Sequence, residues 1–207
     1  VTGAAADRAA HAGRETAAAA VLAGGRGNRI GGNKANMVLA GRTLAERAVD
    51  SLRRAGLDPF VVTKRDRPVE IEGVEVLFEA DEPQHPLAGL AAAIREAGGR
   101  RVVVLACDLP LLPVAYLGWL AGHTDGAVVP RVGAQIQPLA ALYGPEDLET
   151  IEAALARQDP VKSAVARLSP TLVGDHELRR FGDPTVMFSN VNTPEDLRRA
   201  EEVLAGS

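Results

Sequence analysis

Cysteine is nearly missing from this 207-residue chain, which carries Cys107 alone. A single thiol excludes an internal disulfide and a multi-cysteine zinc site, and it suits a reducing, cytoplasmic setting. Aromatic residues are also scarce, at 3%. The core must then be built from Ala, Val and Leu, and stacking platforms for single-stranded nucleic acid are not expected. Neither sign of charge dominates: 23 Lys and Arg face 27 Asp and Glu, a formal net charge of -4. That balance argues against a nucleic-acid partner, and any anion site must be local. No apolar run reaches the roughly 18 residues of a membrane helix. The apolar stretch at 17–23 is short and lacks a basic flank, so it is not read as a signal peptide.

What is present has the balance of an ordinary globular protein, 46% hydrophobic and 24% charged. Residues 1–16, rich in Ala with Gly, Arg and His, are expected to be a disordered leader. One domain is expected over 17–207. Strands are predicted at Ala18–Ala23, Pro59–Thr63, Val74–Phe78, Arg101–Cys107, Ala127–Pro130, Pro138–Tyr143 and Val186–Ser189. Helices are predicted at Leu44–Arg54, Leu87–Ala97, Pro113–Gly122, Pro145–Arg157 and Val161–Leu168. A last helix is announced by Thr193 as N-cap and Pro194 at the first helical position. The run "RVVVLAC" is apolar on both faces, as a central parallel strand must be. Alternating strands and helices imply a three-layer α/β domain with a mostly parallel sheet. Ligands of such sheets sit beyond the carboxyl ends of the strands, which gives weight to the loops at 24–34, 108–112 and 190–193.

The first of these loops, in "AVLAGGRGNRIGGNK", combines bare backbone with positive charge. Arg26, Arg29, Lys34 and Arg42 fall in a stretch, Thr16 to Ala45, that contains no Asp or Glu. Glycines let backbone N–H groups approach an anion, and a triphosphate is the simplest partner for such a site. The same charge pattern also fits a solvated surface loop. It is not a P-loop, because Asn33 separates Gly32 from Lys34 and Ala35 has no hydroxyl for magnesium. Nor is it a dinucleotide loop, because Ile30 stands where the third glycine belongs.

Leu22, Gly24, Gly25, Arg29, Gly31 and Lys34 fill every fixed position of L-x-G-G-x-x-x-R-x-G-x-x-K. The string resembles the signature of nucleotidyltransferases of the molybdenum cofactor guanylyltransferase type. Four further segments resemble that family in the right order: "LAGRTLAERAV", "CDLPLLP", "QPLAALY" and "NVNTPEDL". "HPLAGL" matches except that His85 replaces a usual Gly, and Asn33 and Asn36 are further departures. The resemblance implies a Rossmann-like nucleotidyltransferase fold and transfer of GMP from GTP to the phosphate of molybdenum-bound molybdopterin. It implies that Leu22, Ala23, Gly24, Gly25, Arg26 and Gly89 line the nucleotide. Lys34 and Arg29 would neutralise the triphosphate, and Asp108 would hold Mg²⁺. It also implies a second acidic nucleotide contact, for which Asp81 is the best match and Glu79 and Glu82 are competitors. Gln137, Asn190 and Asn192 are expected on the pterin side. Partners would be GTP and the pterin phosphate, with other cofactor-biosynthesis proteins or recipient molybdoenzymes beyond them.

Read on their own residues, these positions keep second explanations. Asp108 could be a turn or capping aspartate. Gln137 could be a satisfied strand amide, and the asparagines could be turn residues. Cys107 is read as a small core residue and His85 as a loop residue. A cytidylyltransferase or a transferase on another phosphorylated substrate is the alternative within the class. A non-catalytic nucleotide-binding protein for cofactor delivery is the alternative outside it.

Overall fold

The computed structural model describes residues 17–27 and 32–206; the expected leader at 1–16 lies outside them. Eight strands form one sheet: β1 (Ala18–Leu22), β2 (Pro59–Thr63), β3 (Val76–Phe78), β4 (Val102–Ala106), β5 (Val128–Val132), β6 (Gln135–Ile136), β7 (Ala140–Tyr143) and β8 (Thr171–Val173). Their order is β6-β5-β7-β4-β1-β2-β3, with β8 against β5. β1 pairs in parallel with both β2 and β4, and β2 with β3. β7 runs antiparallel to β4 and β5, and β6 antiparallel to β5. β8 runs parallel to β5, so four of the seven pairings are parallel and the sheet is mixed but mostly parallel, in line with the alternating pattern.

Strand side chains alternate between two cores. Ala19, Val21, Val103 and Leu105 face one, while Ala18, Ala20, Val102 and Val104 face the other. The first face is covered by α1 (Leu44–Arg54), α3 (Val114–Ala121) and α8 (Pro194–Ala205), through Leu44, Leu52, Leu117, Leu120 and Ala200. The second is covered by α2 (Pro86–Glu96), α4 (Leu148–Ala156) and α5 (Val161–Ala166), through Leu87, Leu90, Ile94, Ile151 and Val165. Each layer hides an apolar stripe that neither helix nor sheet could leave in water. The few aromatics are concentrated on the first face. Tyr116 meets Phe181 and Phe188 edge-on at centroid distances of 5.7 and 5.5 Å, and its hydroxyl donates to Ala140 O at 2.7 Å.

Three expectations change. Val186–Ser189 is no strand: a helical turn, α7, covers Pro184–Met187. Asp183 Oδ1 accepts the Thr185 N–H at 2.8 Å and Pro184 takes the first turn, which starts a helix and excludes an extended run. Gln135–Ile136 and Thr171–Val173, not expected as strands, extend the sheet beyond β7. A further short helix, α6, covers Asp175–Leu178.

Candidate active site

The carboxyl ends of β1, β2, β3 and β4 open onto one cavity of about 410 Å³, within the range of small-molecule sites. Leu22, Gly24 and Gly25 enter from β1, and Cys107 and Asp108 follow β4. Gly89 comes from the first turns of α2, and Asn192 lies just ahead of α8. Backbone bonds tie these ends together. Cys107 N donates to Leu22 O at 3.2 Å, and Val191 N donates to Asp108 O at 2.9 Å.

Lys34 is the junction. It opens a 3-10 turn, Lys34–Asn36, whose start Asn33 caps by accepting from Ala35 N at 3.2 Å. Its side chain is 8% exposed, and Nζ donates to Asp108 Oδ2 at 2.6 Å and to Asn192 Oδ1 at 2.5 Å. These residues are 74 and 158 positions away in sequence. An ammonium has three donors, so two protein bonds leave one for a ligand. The other Asp108 oxygen, Oδ1, is buried and takes no hydrogen bond from the described residues. An unsatisfied buried carboxylate oxygen is costly and marks a place where a ligand or cation can bind.

A second buried pair closes the cavity beside β1. Lys64 follows β2 and Glu79 follows β3, so the parallel pairing of these strands brings them side by side. Nζ and Oε1 are 3.1 Å apart, with both side chains under a tenth exposed. Burial pushes the Glu79 carboxyl above the usual range, and Lys64 opposes that shift. Arg67 donates to Gly24 O through Nη1. Lys34, Lys64 and Arg67 therefore meet two carboxylates in the lining, a surplus of positive charge.

The structure brings Leu22, Gly24, Gly25, Lys34, Gly89, Asp108 and Asn192 to the cavity. Ala23 is buried behind it, its N–H donating to Val62 O at 2.8 Å. Asp81, Gln137 and Asn190 do not line it. Glu79 comes directly off a strand end and lines the cavity, while Asp81 is two residues further, on an exposed turn. Gln137 is held in the β6–β7 turn, its N–H donating to Pro130 O at 2.8 Å. Arg29 and the side chain of Arg26 lie outside the described residues. His85 is the N-cap of α2, its Nδ1 accepting the Leu87 N–H at 3.2 Å, and it also borders the cavity.

Sequence reasoning missed Lys64 and Arg67. Their signal was present: "TKRDR" follows the strand "PFVVT", and the strand-end rule applies to β2 as it does to β1 and β4.

A family model described as the MobA-like NTP transferase domain matches residues 19–171. The chain is 36% identical over 192 residues to a probable molybdenum cofactor guanylyltransferase of Opitutus terrae, covering 88% of this chain and 93% of that one. It is 31% identical over 192 residues to the molybdenum cofactor guanylyltransferase of Desulfosudis oleivorans, covering 89% and 94%. Among solved structures it resembles molybdopterin-guanine dinucleotide biosynthesis protein A from Archaeoglobus fulgidus. That likeness has a TM-score of 0.77 at 28% identity and covers 91% of this chain and 99% of the other. The family model spans most of the chain, relatives more than 30% identical cover nearly all of it, and the fold agrees, so the chain belongs to the family of MobA-like NTP transferases.

Proposed function

We propose that this protein transfers GMP from GTP to the phosphate of a molybdenum-bound molybdopterin, giving the guanine dinucleotide cofactor and pyrophosphate. The observation that carries the reading is the convergence of Lys34, Asp108 and Asn192 on a cavity bordered by Gly24 and Gly25. The names of the relatives support the same substrates.

The chemistry is an in-line displacement. An oxygen of the pterin phosphate forms a bond to the α-phosphorus of GTP while the bond from that phosphorus to the pyrophosphate oxygen breaks. The attacking oxygen is already ionised, so no protein base is needed. The protein's task is to hold two anions together and to stabilise charge as pyrophosphate leaves. Lys34 supplies a buried ammonium with a free donor for the triphosphate, and Asn192 fixes its direction. Arg29, in the matching motif, is assigned the same charge-stabilising task. The bare backbone of Gly24 and Gly25 lets the nucleotide approach closely, and Glu79, which lines the cavity where Asp81 does not, is assigned the second acidic contact. Gln137 and Asn190 are assigned to the pterin side.

Mg²⁺ fits this donor set. Among the described residues no group of three His, Cys, Asp or Glu could hold a metal, but Mg²⁺ is often held by one or two carboxylates, with substrate phosphates and water completing its shell. Asp108, with Oδ1 buried and unpartnered, would be the protein ligand. Bound there, the ion would offset the negative charge of the phosphates.

The test is pyrophosphate release by the purified protein with Mg²⁺ and molybdenum-bound molybdopterin, comparing GTP with CTP, ATP and UTP. Release with GTP alone is expected. Release with CTP alone would make this a cytidylyltransferase, and no release beside an active control enzyme would overturn the reading.

A further inference from the structure

Lys64 is a buried cation that the reaction above does not use. Its side chain is 6% exposed, and Nζ is committed to Glu79 Oε1 at 3.1 Å and to Ala80 O at 3.2 Å. Like Lys34 it makes two bonds to the protein, but both go to the segment just after β3, so it anchors that part of the cavity wall. Its partner Glu79 is fixed at the backbone, where its N–H donates to Thr63 O at 2.9 Å. The carboxylate fills a slot that exists because two neighbours are glycines. A Cβ on Gly24 would lie 2.6 Å from Oε1, and one on Gly89 would lie 2.8 Å from Oε2. Gly24, Gly89, Lys64 and Glu79 all line the cavity. Oε2 takes no hydrogen bond from the described residues. One carboxylate oxygen is thus anchored and the other is presented at the end of the cavity formed by Gly24 and Gly89.

We infer that Lys64 is a positioning residue: it holds Glu79 as a fixed, ionised acceptor for the adjacent N1–H and N2–H donors of the guanine base. The chemistry of the two groups is complementary. An ionised carboxylate only accepts: Oε2 is open and Oε1 keeps a second lone pair beyond its contact with Lys64, so the two oxygens match two adjacent N–H donors. Guanine is the common base that carries such a pair on its pairing edge, and inosine lacks the 2-amino half. The role rests on GTP being the nucleotide, as proposed above. Without a cation the buried carboxyl would take up a proton, because burial disfavours its charged form. A protonated Glu79 is a donor on one oxygen and no longer fits. Arg67 and Asp66 also act on Glu79, with opposite signs, and His85, Lys34 and Asp108 share the cavity. These groups are common to parent and variant, so a difference between their pH profiles reports the loss of Lys64.

The experiment measures the dissociation constants of GTP and ITP by titration calorimetry, without pterin, from about pH 6 to about pH 9. Parent, Lys64→Met and the Lys64→Met/Glu79→Gln pair are compared, each first shown folded by circular dichroism. The parent should prefer GTP to ITP. Lys64→Met should bind GTP about tenfold more weakly near neutral pH, the scale of one charge-assisted hydrogen bond. It should lose most of the GTP preference there and regain affinity as the pH rises and Glu79 ionises. The double variant, whose pair is neutral, should fold, bind GTP weakly, and show no such recovery. If Lys64→Met does not fold, the double variant decides: parent-like GTP preference in it overturns the role. A folded Lys64→Met with the parent's GTP affinity and pH profile overturns the role and leaves the guanylyl reading standing. A parent that binds no GTP overturns both.

Discussion

Lys34 is where three distant parts of the chain meet, and its substitution is the sharpest test of the site. Removing the ammonium leaves Asp108 Oδ2 and Asn192 Oδ1 without their donor and the triphosphate without its buried cation. Lys34→Ala and Asp108→Ala should each lower turnover by roughly 10²-fold or more, the scale of one lost electrostatic donor. A pyrophosphate-release assay checks this, and near-parent turnover by either variant would remove that residue from the mechanism. Gly24 carries a steric prediction. A methyl group there would press on Glu79 Oε1, whose carboxylate is anchored by Lys64 and cannot swing freely away. Gly24→Ala should lower stability by about 1–3 kcal/mol, the usual cost of overpacking, and weaken nucleotide binding. Thermal unfolding with and without GTP separates the two effects. Cys107 is predicted to be inert. It is 5% exposed, and burial pushes its thiol up to about 12. An alkylating reagent at neutral pH should label it only after the protein is unfolded, since the thiolate is the reactive form.

At the scale of elements, the start of α8 joins structure to function. Thr193 Oγ1 accepts the Asp196 N–H at 3.1 Å, and Asp196 Oδ2 accepts the Asn192 N–H at 3.0 Å. The cap that begins the helix therefore also fixes the backbone of the residue that orients Lys34. Thr193→Ala should cost about 1 kcal/mol, as N-cap removal usually does, and the loss should appear in chemical denaturation together with reduced turnover. The Asn192 N–H and the Thr193 hydroxyl hold the Asp196 carboxyl below the usual aspartate range. A lowered pKa means that the folded state prefers the ionised form. The stabilisation is then present above the ordinary aspartate value and is lost as the pH falls through the lowered one. Asp196→Asn should be less stable than the parent at neutral pH, and the difference should vanish on acidification. Denaturation midpoints measured against pH check the sign.

At the scale of the whole molecule, stability and function share β4. This strand lies between β1 and β7, is buried on both faces, and delivers Asp108 to the cavity. Leu105 is 1% exposed within it. Leu105→Ala should cost about 2–5 kcal/mol by creating a cavity, read as a lowered denaturation midpoint. The long-range pairing of β1 with β4 also explains why residues so far apart in sequence form one site: adjacent parallel strands end at the same edge.

Much of this architecture could be read from the residues. β1, β2 and β4 were legible because strands buried on both faces read as unbroken apolar runs, α1 because of its helical spacing and α8 because of its N-terminal cap signals. The strands β6 and β8 were not, since they are short edge segments with exposed residues and gain their ladder only by pairing with β5. The glycine-rich motif identified Lys34, and the strand-end rule identified Asp108, because both signals are local in sequence. Which acid reaches the cavity was decided by where β3 stops: Glu79 leaves the strand pointing into the site and Asp81 is already on the turn. The Lys64–Glu79 pair and the Lys34–Asn192 bond were likewise settled only by the sheet. Sequence alone determined which residue types were available and which strands would be central. The tertiary structure decided which charges face one another, because burial and distance, which set the strength of those interactions, belong to the folded arrangement and not to any one segment.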